Sequence, residues 1–556
     1  MRKITIYQIL CRVFGNGNSN NKPNGSIYEN GCGKMNGICN KALKEIKNMG
    51  ITHIWFTGLI AHASKTDYSN YGIPPSHHNT VKGVAGSPYA IRDYYDINPD
   101  LAESIPDRMK EFENLVERVH KMGLKIIIDF VPNHVAREYR SINKPAHISD
   151  LGANDDIGKS FHPNNNFYYI VDQALSGPIE WGDYNEKPAK ATGNDKFTSS
   201  PNYYDWYETV KINYGVDYVN NFSEHFNPIP DTWKKMKDIL SFWASKGVDG
   251  FRCDMAEMVP IQFWEYSIKF IKRKYPHIQF IAEIYNPGSL SKYVSIANFD
   301  FIYDKVSLYD TLRAVTCGND SATAITRCWQ RTGDVGNNLL HFMENHDEQR
   351  IASSFFADSA EKGRPSMIVS ACFDTCPVMI YSGQELGERG MESEGFSGCD
   401  GRTSIFDYWS VDTLQRWYNN GKFNYTLLTK EEKELRNFYS LLLKICTTEK
   451  SISRGKFFDL MYVNPYSSEF NPHKYYAFFR SFGKELILIV VNFDDKSSMV
   501  SIFIPEHAFD YLAIKRGGKR KAIELISGLE EEIILLPDAT LTTKVPANNG
   551  IILKIL

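Results

Sequence analysis

Four short segments of this chain each combine an apolar run with an abrupt change to acidic, basic and histidine side chains. They are IIIDFVPNH, VDGFRCDMAE, FIAEIYNP and LLHFMENHDEQR. A β-branched run that follows a helical stretch is typical of a buried parallel strand. The carboxyl ends of parallel strands in a barrel meet at one mouth. The pattern therefore predicts one site that collects six side chains: Asp129, Arg252, Asp254, Glu283, His346 and Asp347.

Between these segments the sequence alternates strand-like and helix-like stretches. Helical periodicity ends at a glycine in three of them, at Gly50, Gly123 and Gly247. Eight strands are predicted, at 4–10, 53–60, 125–134, 248–254, 278–285, 299–306, 338–347 and 377–383. Eight β/α units favour an α/β fold of the closed (β/α)8 TIM-barrel type, with an open doubly wound sheet as the alternative.

Two regions depart from this alternation. Residues 135–214 are rich in Asn, Asp, Gly, Pro and Tyr and are far longer than an ordinary loop, which predicts an insertion after the third strand. From about 447 the pattern changes to period-two and continuous β runs, which predicts an antiparallel β-sandwich. We therefore expect a barrel at 1–134 and 215–446, an insertion at 135–214 and a C-terminal domain at 447–556.

Net charge and hydropathy argue against two kinds of partner, a nucleic acid and a membrane. The net charge of −3 gives no electrostatic reason for a nucleic acid partner. No run approaches the ~18 apolar residues of a membrane span. The opening MRKITIYQILCRVFG is interrupted by Gln8, Cys11 and Arg12, so it is interpreted as a first strand and not as a signal peptide. A cytoplasmic location is the corresponding expectation.

The ten cysteines are scattered, without a CxxC pair. Reduced thiols in the core are expected for most of them, and several lie in apolar contexts. Cys32 and Cys39, in a glycine-rich stretch, are the one pair placed for a local disulfide.

Two of the strand-end carboxylates suit the cleavage of a glycosidic bond by double displacement. Asp254 and Glu283 end adjacent strands, and such strands hold carboxylates near the ~5 Å separation that retention of configuration needs. Arg252 points to the same side of its strand as Asp254 and is expected to keep it ionised. Asp347 supplies a third acid. Each residue taken alone also fits a structural role, as a helix cap or an ordinary ion pair.

The motifs DFVPNH, GFRCD, AEIY and ENHD, in this order, resemble the four signature segments of the α-amylase superfamily of retaining glycoside hydrolases. The resemblance covers barrel, insertion and C-terminal domain. It implies that Asp254 is the nucleophile, Glu283 the general acid/base, and Asp347 the acid that binds sugar hydroxyls and favours a distorted ring. It also implies substrate-binding roles for four residues: Tyr89, which would stack on the sugar, His134, Arg252 and His346.

The sequence departs from typical α-amylases of this superfamily just after the proposed nucleophile. Glu257 and Met258 stand where those enzymes carry Lys and His, and the backbone there also serves a calcium site. Asn133 matches a calcium-ligand position, and Asp217 is a candidate replacement for an acidic ligand. Asn133 as an ordering amide of the loop is an equally good interpretation. A structural calcium ion is the one cofactor that the sequence leaves open.

Three functions remain at this point. The leading hypothesis is hydrolysis of α-1,4-linked glucans, starch or maltodextrins, with retention. A 4-α-glucanotransferase uses the same covalent intermediate and is the alternative. A non-catalytic carbohydrate-binding relative would lack a catalytic acid, but all three acids are present.

Overall fold

The computed structural model describes residues 2–177 and 181–556. Eight parallel strands close into a barrel in which each strand pairs with its sequence neighbours and the last pairs with the first. They are β1 (Thr5–Leu10), β2 (His53–Thr57), β3 (Lys125–Phe130), β4 (Gly250–Cys253), β5 (Gln279–Ala282), β6 (Phe301–Tyr303), β7 (Leu339–Phe342) and β8 (Val378–Tyr381). The prediction of a closed barrel is confirmed, and the open sheet is excluded.

The predicted second strand is shorter in the structure. β2 ends at Thr57, and Gly58 follows with a φ of +85°. The chain then forms Ile60–His62, which pairs antiparallel with Ile91–Ile97 outside the barrel. The left-handed conformation of Gly58 divides the apolar run into two strands.

The helices lie between the barrel strands. Arg108–Lys121 buries Phe112, Leu115, Val116 and Val119, which repeat at helical spacing. Helices of seven or more residues in the barrel region are Asn40–Asn48, Arg108–Lys121, Asp231–Ser245, Ile261–Lys274, Asp310–Thr316, Ala324–Thr332, Arg364–Cys372, Asp412–Tyr418 and Lys430–Thr448. Among the described residues, no helix is both long and apolar enough to cross a membrane.

The insertion leaves and re-enters the barrel through one pair of strands. His134–Ala136 pairs antiparallel with Thr209–Lys211, and this pair is called the neck below. Two further small pairs stand beyond it, Tyr169–Ile170 with Ala189–Lys190 and Val216–Asp217 with Ser223–Glu224. The neck fixes the insertion next to the end of β3.

The C-terminal region contains two antiparallel sheets that contact each other. The larger sheet has six strands in the order Lys456–Asp459, Tyr475–Phe482, Glu485–Asn492, Asn549–Ile555, Lys519–Glu524 and Glu530–Ile534. The smaller one pairs Ser498–Ile504 with Ala539–Val545. Alternate residues Val500, Ile502 and Ile504 are buried, as expected from period-two patterning.

All ten cysteines are free thiols, and most are buried. The disulfide between Cys32 and Cys39 that the sequence suggested is therefore not present. Cys32 is buried, and Cys39 precedes the helix Asn40–Asn48.

Candidate active site

The carboxylates of Asp254 and Glu283 emerge from adjacent strands in register. β4 pairs with β5 so that Cys253 lies opposite Ala282. Asp254 and Glu283 follow directly at the carboxyl ends of these strands, and the amide of Glu283 donates to the carbonyl of Cys253 at 3.1 Å. The two side chains therefore enter the barrel mouth side by side.

One guanidinium group joins the two acids. Nη1 of Arg252 donates to Oδ1 of Asp254 at 2.7 Å and to Oδ1 of Asp129 at 3.4 Å. Nη2 lies 2.7 Å from Oε1 of Glu283, in an ion pair without hydrogen-bond geometry. Arg252 is fully buried. Both carboxylates thus lie 2.7 Å from one guanidinium group, which agrees with the close spacing, ~5–5.5 Å, of the two carboxyl groups in retaining glycosidases.

Burial of this cluster raises the pKa of Asp254. Desolvation raises the pKa of Asp254 well above its ordinary value, Arg252 opposes the shift, and the neighbouring Glu283 adds to it. Arg252 thus lowers the pKa of the proposed nucleophile as expected, but burial outweighs it. Asp254 therefore keeps its proton to a higher pH than a solvated carboxyl group does.

Asp347 and His346 form a second polar group across the mouth. Nε2 of His346 lies 3.0 Å from Oδ2 of Asp347 and 2.6 Å from the hydroxyl of Tyr89. Nδ1 of the same ring accepts from Nε2 of Gln8 at 2.8 Å. Burial acts to raise the pKa of Asp347, but His346 and nearby arginines lower it to about 2. Asp347 is therefore ionised at neutral pH.

Tyr89 and His134 flank the acids. The Tyr89 ring stacks on His346 with centroids 5.1 Å apart and lies beneath the Arg252 guanidinium. His134 belongs to the neck, and its ring lies 5.2 Å from Trp206. Burial, with Lys211 and Lys82, lowers the pKa of His134 to about 3. His134 is therefore a neutral imidazole that can donate or accept a hydrogen bond.

These side chains share a cleft of about 380 Å³. Of the predicted site residues, Tyr89, His134, Asp254, Glu283 and Asp347 line it, while Arg252 and His346 stand behind them. Aromatic and apolar walls surround the polar groups, as in sites that bind small organic ligands. The remaining wall is formed by Lys82, Ser87, Trp206, Glu208, Thr209, Met255, Tyr285, Ile405 and Phe406.

Asn133 lies outside this cleft wall, and its amide is already occupied. Oδ1 accepts from Nζ of Lys211, and Nδ2 donates to the carbonyl of Gly193 at 2.8 Å. The carboxylate of Asp217 instead accepts two backbone amides of the following turn. Within the described residues no group of three or more His, Cys, Asp or Glu is placed to hold a metal. Oδ1 of Asn133 therefore already faces a cation of the chain, Nζ of Lys211, at the place where a calcium ion would have to lie.

Glu257, which replaces the usual lysine, turns to the loop after β5. Its two carboxylate oxygens accept the backbone amides of Tyr285 at 3.0 Å and Asn286 at 3.2 Å. The hydroxyl of Tyr285 in turn donates to Oε1 of Glu283 at 2.6 Å. Glu257 therefore fixes the loop that places Tyr285 beside the proposed acid.

Sequence reasoning missed several of these contributors. Gln8, Trp55 and Tyr285 support the site from β1, β2 and the loop after β5. A period-two count along FIAEIY places Tyr285 on the same side as Glu283, which was a usable signal. Trp206 of the insertion also lines the cleft, whereas Tyr204, two residues before it, is 91% exposed.

The geometry is that of a glycoside hydrolase, and comparison with known proteins identifies the family. The profile of the α-amylase catalytic domain matches residues 8–434, and the chain belongs to this family. It is 26% identical over 479 residues to "Alpha-amylase 3" of Dictyoglomus thermophilum, which covers 81% of this chain and 78% of that protein.

Two further similarities extend over more of the chain. "Neopullulanase 2" of Thermoactinomyces vulgaris is 22% identical over 523 residues, covering 91% of this chain and 72% of that protein. The solved structure of a maltogenic α-amylase, AmyB from Thermotoga neapolitana, superposes with a TM-score of 0.63 at 19% identity. That superposition covers 100% of this chain and 98% of the other, so the whole fold is shared.

Proposed function

We propose that this enzyme cleaves α-1,4-glucosidic bonds in starch-derived glucans and maltooligosaccharides with retention of configuration. The observation that carries the proposal is the pair of carboxylates, Asp254 and Glu283, held on one buried guanidinium at the floor of the cleft. The similarity to an α-amylase and to a neopullulanase supports an α-glucan as the substrate class.

In the first step, an oxygen of Asp254 bonds to the anomeric carbon while the bond to the leaving oxygen breaks. Glu283 transfers its proton to that oxygen, so the departing sugar leaves as a neutral alcohol. The assignment needs an ionised Asp254 and a protonated Glu283, and the guanidinium of Arg252, 2.7 Å from Oδ1 of Asp254, favours the ionised form of the nucleophile.

In the second step, Glu283 takes a proton from water as the water oxygen bonds to the anomeric carbon. The ester bond to Asp254 breaks, which restores both carboxyl groups. Asp347, His134 and Tyr89 line the cleft beside the acids and would supply hydrogen bonds and a stacking face for the sugar, while His346 holds Asp347 and Tyr89 from behind. A sugar hydroxyl that attacks in place of water gives the transferase reaction.

Trapping of the covalent intermediate tests the proposal. A 5-fluoro-α-maltosyl fluoride should label the enzyme once, and mass spectrometry of the digest should place the sugar on the peptide that contains Asp254. Asp254→Asn is the matched control and should remain unlabelled. A label on another residue, or hydrolysis with inversion seen by proton NMR of the first products, would refute the mechanism.

Product sizes separate hydrolysis from transfer. Maltoheptaose, cyclodextrin, pullulan and starch are incubated with the enzyme and sampled over time. Products that are only shorter than the substrate identify a hydrolase, and a rising series of longer products identifies a glucanotransferase.

A further inference from the structure

Lys211 is a buried cation at a point where three parts of the chain meet. It lies at the end of the neck and is only 1% exposed. Its Nζ donates to Oδ1 of Asn133, which follows β3, and to the backbone carbonyl of Met258, which follows β4, at 3.3 Å. Oδ1 of Asp195, within the insertion, lies 2.7 Å away.

The three acceptors are an amide oxygen, a carboxylate oxygen and a backbone carbonyl oxygen. Calcium prefers this class of ligand, and an ammonium group also donates to such acceptors. A calcium ion would need to lie ~2.3–2.6 Å from the same oxygens, within the space that Nζ fills and against its charge. The ammonium and the metal ion are therefore mutually exclusive at this position.

We propose that the Lys211 ammonium takes the place of a structural calcium ion. The positive charge that holds the insertion to the barrel is then part of the chain itself. The charge balance supports this occupant, because the single carboxylate of Asp195 matches a monovalent cation. The ring of Tyr218, 5.4 Å from Nζ, adds a cation–π contact on the insertion side.

Thermal unfolding of the whole chain tests the proposal without measuring activity. Lys211→Met removes the charge and keeps much of the aliphatic length, and we expect its midpoint to fall by several degrees. Lys430→Met is the control, because that side chain is 83% exposed. Asp195→Asn, a milder change at a partly exposed partner, should lower the midpoint in the same direction by a smaller amount.

Excess chelator and added calcium provide the second arm. If no ion binds Asn133, neither chelator nor calcium should shift the unfolding midpoint of the wild type by way of this residue. A fall with chelator that disappears in Asn133→Ala would place a metal ion on this amide and overturn the proposal. If chelator lowers the midpoint of Asn133→Ala as well, the ion binds elsewhere. The comparison of Lys211→Met with Lys430→Met then decides whether Lys211 fastens the insertion.

An unchanged midpoint of Lys211→Met would also overturn the proposal. If Lys211→Met does not yield soluble protein, limited proteolysis of Asp195→Asn gives the same information. Faster cleavage within residues 135–214 than in the wild type is expected, and an unchanged rate contradicts the proposed fastening. These outcomes leave the proposed reaction unaffected, since none of them depends on turnover.

Discussion

The hydroxyl of Tyr285 donates a 2.6 Å hydrogen bond to Oε1 of Glu283. The other carboxylate oxygen, Oε2, accepts the backbone amide of Met255 at 2.7 Å. Glu283 is thereby held in one orientation. Tyr285 is a positioning residue for the proposed acid, and Glu257 fixes its loop.

Tyr285→Phe should lower kcat by roughly 10- to 100-fold with little change in KM, because a hydrogen bond to a charged group contributes ~1.5–3 kcal/mol. Tyr95→Phe is the control, because no hydrogen-bond partner is found for its buried hydroxyl among the described residues. An unchanged kcat would exclude the positioning role.

Asp254→Asn should lose at least ~10⁴-fold in kcat while the fold is kept, because the amide conserves volume but cannot form the glycosyl ester. Steady-state kinetics and circular dichroism give the two readouts. A variant that kept more than about a hundredth of wild-type activity would show that Asp254 is not the nucleophile.

Glu283→Gln should lose most activity on glucans and keep more on aryl glycosides with good leaving groups, which need little protonation. The ratio of kcat/KM on maltoheptaose and on a nitrophenyl maltoside measures this difference. Equal losses on the two substrates would argue against Glu283 as the acid.

The acid limb of kcat/KM should lie above pH ~4, the ordinary range of an aspartate. Burial raises the pKa of Asp254, so the proposed nucleophile becomes protonated at a higher pH than a solvated carboxyl. His134 and Asp347, with pKa values of about 3 and about 2, do not titrate in that range. A limb at pH 2–3 would instead point to Asp347.

Asp129 makes a prediction about stability. Burial raises its pKa to about 6, against ~3.9 when unfolded, so the folded state binds more protons between these values. Stability linked to Asp129 therefore falls as pH rises from about 4 to about 6. Calorimetry gives the unfolding midpoint of Asp129→Asn minus that of the wild type at each pH. This difference should be more positive at pH 7 than at pH 4. A pH-independent difference would contradict this linkage.

The sequence is sufficient to predict the elements whose patterns are local. Each barrel strand is a short apolar run, and the polar residue at its end marks the mouth, so the convergence of Asp254 and Glu283 follows from strand order. The roles of Lys211 and Glu257 do not follow. Lys211 meets Asn133 across 78 positions of sequence, and Glu257 meets Tyr285 across 28. No local periodicity reports such contacts.

The same limit explains the error at Cys32 and Cys39. Their spacing allows a loop to close, but the burial of Cys32 depends on packing that spacing does not encode. The end of β2 at Thr57 was also missed, because the apolar run continues past Gly58 and only its positive φ breaks it.

The neck has a consequence for how enzymes of this design can diversify. His134 and Lys211 are paired residues of that two-stranded ladder. The backbone that closes the insertion therefore also positions the His134 side chain in the cleft and the Lys211 ammonium. Segments grafted into the insertion would leave this ladder unchanged, provided that they keep Asp195, the partner of Lys211. Closing a longer loop is cheap, since each doubling of length costs only ~0.6 kcal/mol. Segments of the insertion at the rim of the cleft can therefore be replaced while the carboxylates at its floor are kept.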